Sequence, residues 1–164
     1  CPSFWTLGAN QVGKGMLHGL EHLIIPGAHL GFNIWPFDGD LATCCQHPDV
    51  TLMETYPGEV YGWLGISELT KSNQKSRAKA VEFLIDYAAR NAVEITPAVM
   101  ADCKSGFGPD QGKDDAFDAL VGVLGLIQIA DGKRPEHLPA EPTIREREGW
   151  IMGLDPADIK TPKP

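Results

Sequence analysis

Apolar positions recur at helical spacing in three stretches of the chain. Phe117, Leu120, Val121, Leu124 and Ile127 trace one face of Asp114–Ala130, and Asp131-Gly132 supplies a stop. Ala80, Val81, Leu84, Ile85 and Ala88 form the stripe of a second helix, entered through the basic, polar run Lys71–Lys79. Met16, Leu20, Leu23 and Ile24 mark a third, ending at Pro26-Gly27. Two compact apolar runs read as strands. Pro36 confines Leu30–Phe37 to a sheet edge or a strand end. Val50–Met53, β-branched at Val50 and Thr51, reads as a buried strand that delivers Glu54 at its end. Tyr56-Pro57-Gly58 opens a short helix reaching about Leu64, Asp40–Asp49 is a loop or short helix, and Asn91–Pro97 holds a short strand. Pro2–Leu7 is extended, Lys104–Gly112 is a glycine-rich loop, and residues beyond Pro135 are extended and proline-rich. Gly122 and Gly125 lie inside the longest helix, where glycine costs helix propensity, so another element approaches closely there.

Length and composition narrow the class. At 164 residues, with 43% hydrophobic and 22% charged residues, the chain suits one globular domain with a real core. The expected division is a domain over 1–153 and a polar tail over 154–164. No apolar run approaches the roughly 20 residues of a membrane span, and no basic leader with an apolar stretch is visible. The net charge of −8 denies the chain the global positive field of a dedicated nucleic-acid binder, so such a role must rest on a local basic patch or on bound metal. Cys1, Cys44, Cys45 and Cys103 form no CxxC pair, and adjacent Cys44-Cys45 would make a strained bridge. Reduced thiols and a cytoplasmic location follow.

Two acidic features carry the chemistry. Glu54 stands at the C-terminal end of a strand, where open α/β sheets place their sites. Asp115 and Asp118 are three apart at the start of the long helix, and Asp114 and Asp118 are four apart, so either pair projects together. Clustered carboxylates repel, a divalent cation relieves that cost, and hard oxygen ligands suit Mg²⁺ or Mn²⁺. Acidic residues in a helix's first turn are also favoured by the macrodipole and by capping, and spacing alone does not choose between the accounts.

Four segments bear on that choice in chain order: ETYPGEVYGWLG (Glu54–Gly65), KSNQKSRAKA (Lys71–Ala80), GKDDAFDALVGVLG (Gly112–Gly125) and EGWI (Glu148–Ile151). Together they resemble the C-terminal half of the RNase H-like domain-of-unknown-function 429 family of predicted nucleases. FWTLGANQVGKG and IWPFDG extend the likeness to roughly Phe4–Gly153. The D-x-x-D-A helix is similar to the last helix of Holliday-junction resolvases, which share that fold.

The resemblance implies an α/β, RNase H-like mixed sheet flanked by helices. It implies a metal-dependent nuclease that hydrolyses phosphodiester bonds using Mg²⁺ or Mn²⁺. Glu54 matches the acidic residue of the fourth strand, Asp115 and Asp118 match the carboxylates of the final helix, and Asp114 is a neighbour. Beside such a site, Lys71, Lys75 and Arg77 would approach the phosphates of a nucleic-acid partner, although a solvated helix face is the commoner meaning of such a run. The chain departs from the family by lacking the N-terminal antiparallel section, whose first strand carries the central metal-binding Asp. Asp38 is a weak stand-in. A chain that begins at Cys1 rather than Met reads as a piece of a longer protein, completing its sheet with a missing N-terminal segment or with another copy. The rival function is a non-catalytic RNase H-like module that binds protein or nucleotide, without a membrane partner.

Other motifs compete. Gly8-x-x-x-x-Gly13-Lys14 approaches a phosphate-binding loop, but Gly15 stands where a Ser or Thr hydroxyl would meet Mg²⁺. His18-x-x-Glu21-His22 fits the inverted zinc-peptidase pattern, yet Gly19 weakens the helix and no third ligand follows. Cys44, Cys45 and His47 are too close in sequence for good tetrahedral geometry. No G-x-S-x-G elbow is present, and Trp5, Trp35, Trp63 and Trp150 are scattered as core or interface residues are.

Overall fold

The structure, a computed structural model, describes residues 12–46, 50–109 and 113–158. It is mixed α/β and mostly helical, and it divides into two compact units, Cys1–Met53 and Glu54–Pro164. The extended segment read at Pro2–Leu7, most of the Gly8–Lys14 motif, His47 and the end of the polar tail lie outside the described residues.

In the first unit, α1 (Val12–Gly19) runs through a π-helical turn (Leu20–Ile24) into α2 (Ile25–Gly27) and a 3₁₀ turn (Ala28–Leu30). The α-helical course ends at Gly27, as Pro26-Gly27 indicated, and Leu30 belongs to the 3₁₀ turn that follows rather than to a strand. The strand expected over Leu30–Phe37 shrinks to β1 (Asn33–Ile34). It pairs in parallel with β2 (Thr51–Leu52), matching Asn33 to Thr51 and Ile34 to Leu52. Trp35 still donates its N–H to Leu52 at 2.9 Å, and the chain then turns, the Asp38 N–H returning to the Ile34 carbonyl at 3.0 Å, so the ladder stops. β2 is half-buried rather than buried, with Val50 exposed at its start. Between the strands, Asp40 caps α3 (Leu41–Cys44) by accepting the Thr43 N–H at 2.7 Å. Hydrogen bonding to Thr43, through its side chain first and its backbone N–H second, holds the Asp40 carboxyl below its usual range.

The second unit contains α4 (Pro57–Trp63), α5 (Gln74–Arg90), α6 (Pro97–Ser105) and α7 (Lys113–Ala130). Its core joins Val60 and Leu64 of α4 and its end, Ala80, Leu84 and Tyr87 of α5, and Phe117, Val121 and Leu124 of α7. The helical spacing of the apolar residues in α5 and α7 produces this directly. The glycines of α7 meet neighbours: a Cβ on Gly125 would lie 2.6 Å from a methyl of Val60, and one on Gly122 would lie 3.0 Å from Thr55.

Two expectations are corrected here. Asn91–Pro97 forms no strand, because Asn91 and Val93 turn back onto the last carbonyls of α5. Pro97–Ser105, given no helix by the sequence pattern, forms α6 with Thr96 as cap and Pro97 in its first turn. Only Cys103 of α6 is buried, so the helix lacks the apolar stripe that would reveal it. The chain beyond α7 is held irregularly, through a π-helical turn (Ile144–Glu148) and a single parallel bridge between Ile151 and Glu54. No described helix is long and apolar enough to cross a membrane.

Candidate functional site

The candidate acidic residues Glu54, Asp114, Asp115 and Asp118 sit on two elements that touch. Glu54 pairs with Ile151, and its carbonyl accepts the Met152 N–H at 2.9 Å, so the segments Glu54–Gly65 and Glu148–Ile151 meet there. The following residue, Thr55, crosses α7 at Gly122. Asp118 lies one helical turn before Gly122, and Asp115 a further turn before that on the same side. A Cβ at 122 would press on the Thr55 methyl at 3.0 Å, a tight approach that a glycine in mid-helix relieves.

Asp118 is the most engaged of these carboxylates. Its Oδ2 accepts from the Lys71 ammonium at 2.8 Å, and its Oδ1 accepts from the Tyr61 hydroxyl. Its side chain retains 19% of its exposure, against 51% for Lys71. The hydrogen bond to Asp118 is the main cause that raises the Lys71 pKa, and the Asp114 and Asp115 charges add to it. Tyr61 is pushed up by burial first, then by its bond to Asp118 and the charges of Asp118 and Asp114. Asp114 is half-buried while Asp115 and Glu54 are exposed, and none of the three makes an ion pair or side-chain hydrogen bond among the described residues.

The basic stretch divides into three roles. Arg77, expected at phosphates, is only 3% exposed. Its Nε donates to Gly106 at 2.9 Å, its Nη2 to Gly108 at 2.8 Å, and its Nη1 to the carbonyl of Lys71. A planar guanidinium with its donors in a fixed fork suits this clamp, and a group so spent is not free for a ligand. Gly106, left-handed at φ 65°, ends α6 so close to α5 that a Cβ would lie 2.4 Å from the Gln74 carbonyl. Lys71 faces Asp118. Lys75 stays exposed and lines a groove of about 560 Å³ with Glu68, Thr70, Asn73, Ser76 and Lys79.

An all-carboxylate donor set suits Mg²⁺ or Mn²⁺ in kind. It does not suit in arrangement: among the described residues no three His, Cys, Asp or Glu side chains come together as ligands. Both Asp118 oxygens are already bonded. The same holds for the described His18, Glu21, His22, Cys44 and Cys45, which gather into no such group. The His18 and His22 rings lie 4.8 Å apart, both exposed. Cys44, Cys45 and Cys103 form no disulfide with one another, and the Cys44 thiol donates to the Gly39 carbonyl at 3.7 Å. Asp38 accepts the Ile34 N–H at 2.7 Å and closes its own turn.

Tyr61 escaped the sequence reading. It neighbours the buried Val60 on α4, and a tyrosine beside a core position carries a polar tip that needs a partner, the one signal its sequence context offers. Comparison of the chain with protein-family models, with curated proteins and with solved structures yields no match.

Proposed function

We propose that this chain carries the acidic site of an RNase H-like, divalent-metal-dependent nuclease, as its likeness to the domain-of-unknown-function 429 family implies. The supporting observation is the crossing of the Glu54–Thr55 segment over α7 at Gly122, one turn from Asp118 and on the side that Asp115 shares. A strand-end carboxylate beside a helix bearing two more is the element layout that such a site needs. By that likeness Glu54, Asp115 and Asp118 would be the ligands of Mg²⁺ or Mn²⁺, with Asp114 adding negative charge, once drawn closer together than they stand here. An ion held there would supply Lewis acidity for phosphodiester hydrolysis. The chain's own contribution is to keep one face of α7 free of bulk, to bury one edge of the Asp118 carboxyl against Tyr61, and to offer Lys75 and Lys79 along an open groove for phosphates.

The test is thermal unfolding with added Mg²⁺ or Mn²⁺, followed by incubation with labelled single- and double-stranded DNA and RNA. Stabilisation and cleavage that both vanish in Asp118→Asn are the expected outcome. A second reading, a non-catalytic module of the same fold, draws on the neutralisation of Asp118 by Lys71 and on the absence of a three-carboxylate cluster among the described residues. It predicts no metal-dependent shift and no cleavage.

A further inference from the structure

The first unit carries an amphipathic helix whose apolar side is exposed. We propose that this side of the run from α1 to α2 (Val12–Gly27) is a homodimer interface, on which a second copy of the chain packs the same stripe in a two-fold pair.

Met16, Leu20 and Leu23 follow one another at helical spacing, with Leu17 beside them and Ile25 extending the apolar surface. All five are 39 to 63% exposed. Among the residues of Gly15–Gly27 only Gly27 is buried, and it lies against the Phe32 ring. Helices of this length are marginal in water, and in folded proteins the packing of an apolar face supplies most of their stability. His18 stands two residues from both Met16 and Leu20, about 200° round the helix. It therefore points to the other side, where its ring meets that of His22 at 4.8 Å. The helix is thus two-sided, and its apolar side needs cover.

Area and charge select the partner. Taking ~200 Å² for each side chain when fully exposed, the five offer roughly 500 Å² per copy and roughly 1,000 Å² for a pair, the area that a specific interface must clear. An interface of that size suits a weak, reversible dimer. The net charge of −8 makes copies repel over most of their surface, whereas the stripe is uncharged and lets two copies meet without setting like charges together. The same net charge opposes an anionic lipid surface. A membrane-seated helix also carries a strongly basic polar side, while Val12–Gly27 holds Lys14 as its one Lys or Arg, offset by Glu21. A second copy is the occupant that both arguments favour.

Sedimentation velocity of the full chain over a wide concentration range tests this, with far-UV circular dichroism to follow helix content. The expected result is a reversible dimer with a micromolar Kd. Leu20→Glu should weaken it at least about a hundredfold, because a two-fold interface receives each substitution twice. Leu20→Ala with Leu23→Ala puts the best helix former at both positions, so it keeps the helix while removing the contact, and should weaken the dimer at least about tenfold. His18→Ala, on the other side, should leave the dimer unchanged. A monomer at every concentration overturns the proposal. Binding of that monomer to phosphatidylglycerol vesicles would then make a lipid surface the occupant, and a lower unfolding midpoint in Leu20→Glu would make it another part of the same chain. A dimer that survives Leu20→Glu, or that His18→Ala weakens as much, also overturns it.

Discussion

Gly125→Ala tests the contact that brings α4 and α7 together and so sets Tyr61 against Asp118. In an exposed helix the change from glycine to alanine is favourable by about 1 kcal/mol, because the unfolded chain loses freedom and the helix gains a better former. At this position the added methyl would sit 2.6 and 2.8 Å from the two methyls of Val60. Val60 is 1% exposed, and a β-branched side chain in a helix has one strongly preferred rotamer, so it cannot turn aside. The helices must part, and overpacking of this kind costs about 1–3 kcal/mol. The balance is a net loss of about 1 kcal/mol by urea denaturation. Gly62→Ala is the control: Gly62 lies near the end of α4, where an added Cβ would meet nothing within 4 Å, and the same change there should gain up to about 1 kcal/mol. Combining Gly125→Ala with Val60→Ala should give less than the sum of the two losses, since each relieves the other. Equal stabilisation by Gly125→Ala and Gly62→Ala would refute the close approach of α4 to α7.

Three further outcomes follow from the same contacts. Arg77→Met should cost about 2–4 kcal/mol, because three carbonyls lose their donor at once, and chemical denaturation would detect it; a loss under about 0.5 kcal/mol would show that the clamp is dispensable. Lys71 and Tyr61 both have pKa values raised in the folded chain, so their contributions are full below the ordinary lysine and phenol ranges and fade as pH rises through the folded values. Unfolding followed from neutral to strongly alkaline pH should show falling stability above about pH 10, with a shallower fall in Tyr61→Phe; superimposable profiles would count against the Tyr61–Asp118 bond. Asp118→Asn leaves the ammonium without its partner and replaces an acceptor of two strong donors, so it should cost about 1 kcal/mol without metal. Thermal scans in a chelator would measure that loss, and an unchanged midpoint would contradict the ion pair.

Periodicity carried the helices whose apolar stripe faces a core. Ala80, Val81, Leu84 and Ala88 in α5, and Phe117, Val121 and Leu124 in α7, are buried where their spacing placed them, and Gly122 and Gly125 lie against Thr55 and Val60. Where burial was not the organising force, the pattern was silent. α6 buries Cys103 alone and is specified by its ends, by Thr96, Pro97 and Gly106, which were read as strand end and loop. The strand over Leu30–Phe37 is short because pairing depends on a partner strand and the chain turns back at Asp38, neither of which apolar content encodes.

The candidate site was legible only at its acidic residues. Nothing in the spacing of KSNQKSRAKA distinguishes Arg77 from Lys75, since burial of a guanidinium depends on carbonyls about thirty residues away at Gly106 and Gly108. Tyr61 and Lys71 reach Asp118 across separations of 57 and 47 residues, which no local pattern encodes.

The most direct measurement is anomalous diffraction from crystals of the full chain soaked in Mn²⁺. The account predicts a manganese peak in contact with carboxylate oxygens of Glu54, Asp115 or Asp118. A soaked crystal with no manganese beside Glu54, Asp115 or Asp118 would contradict it.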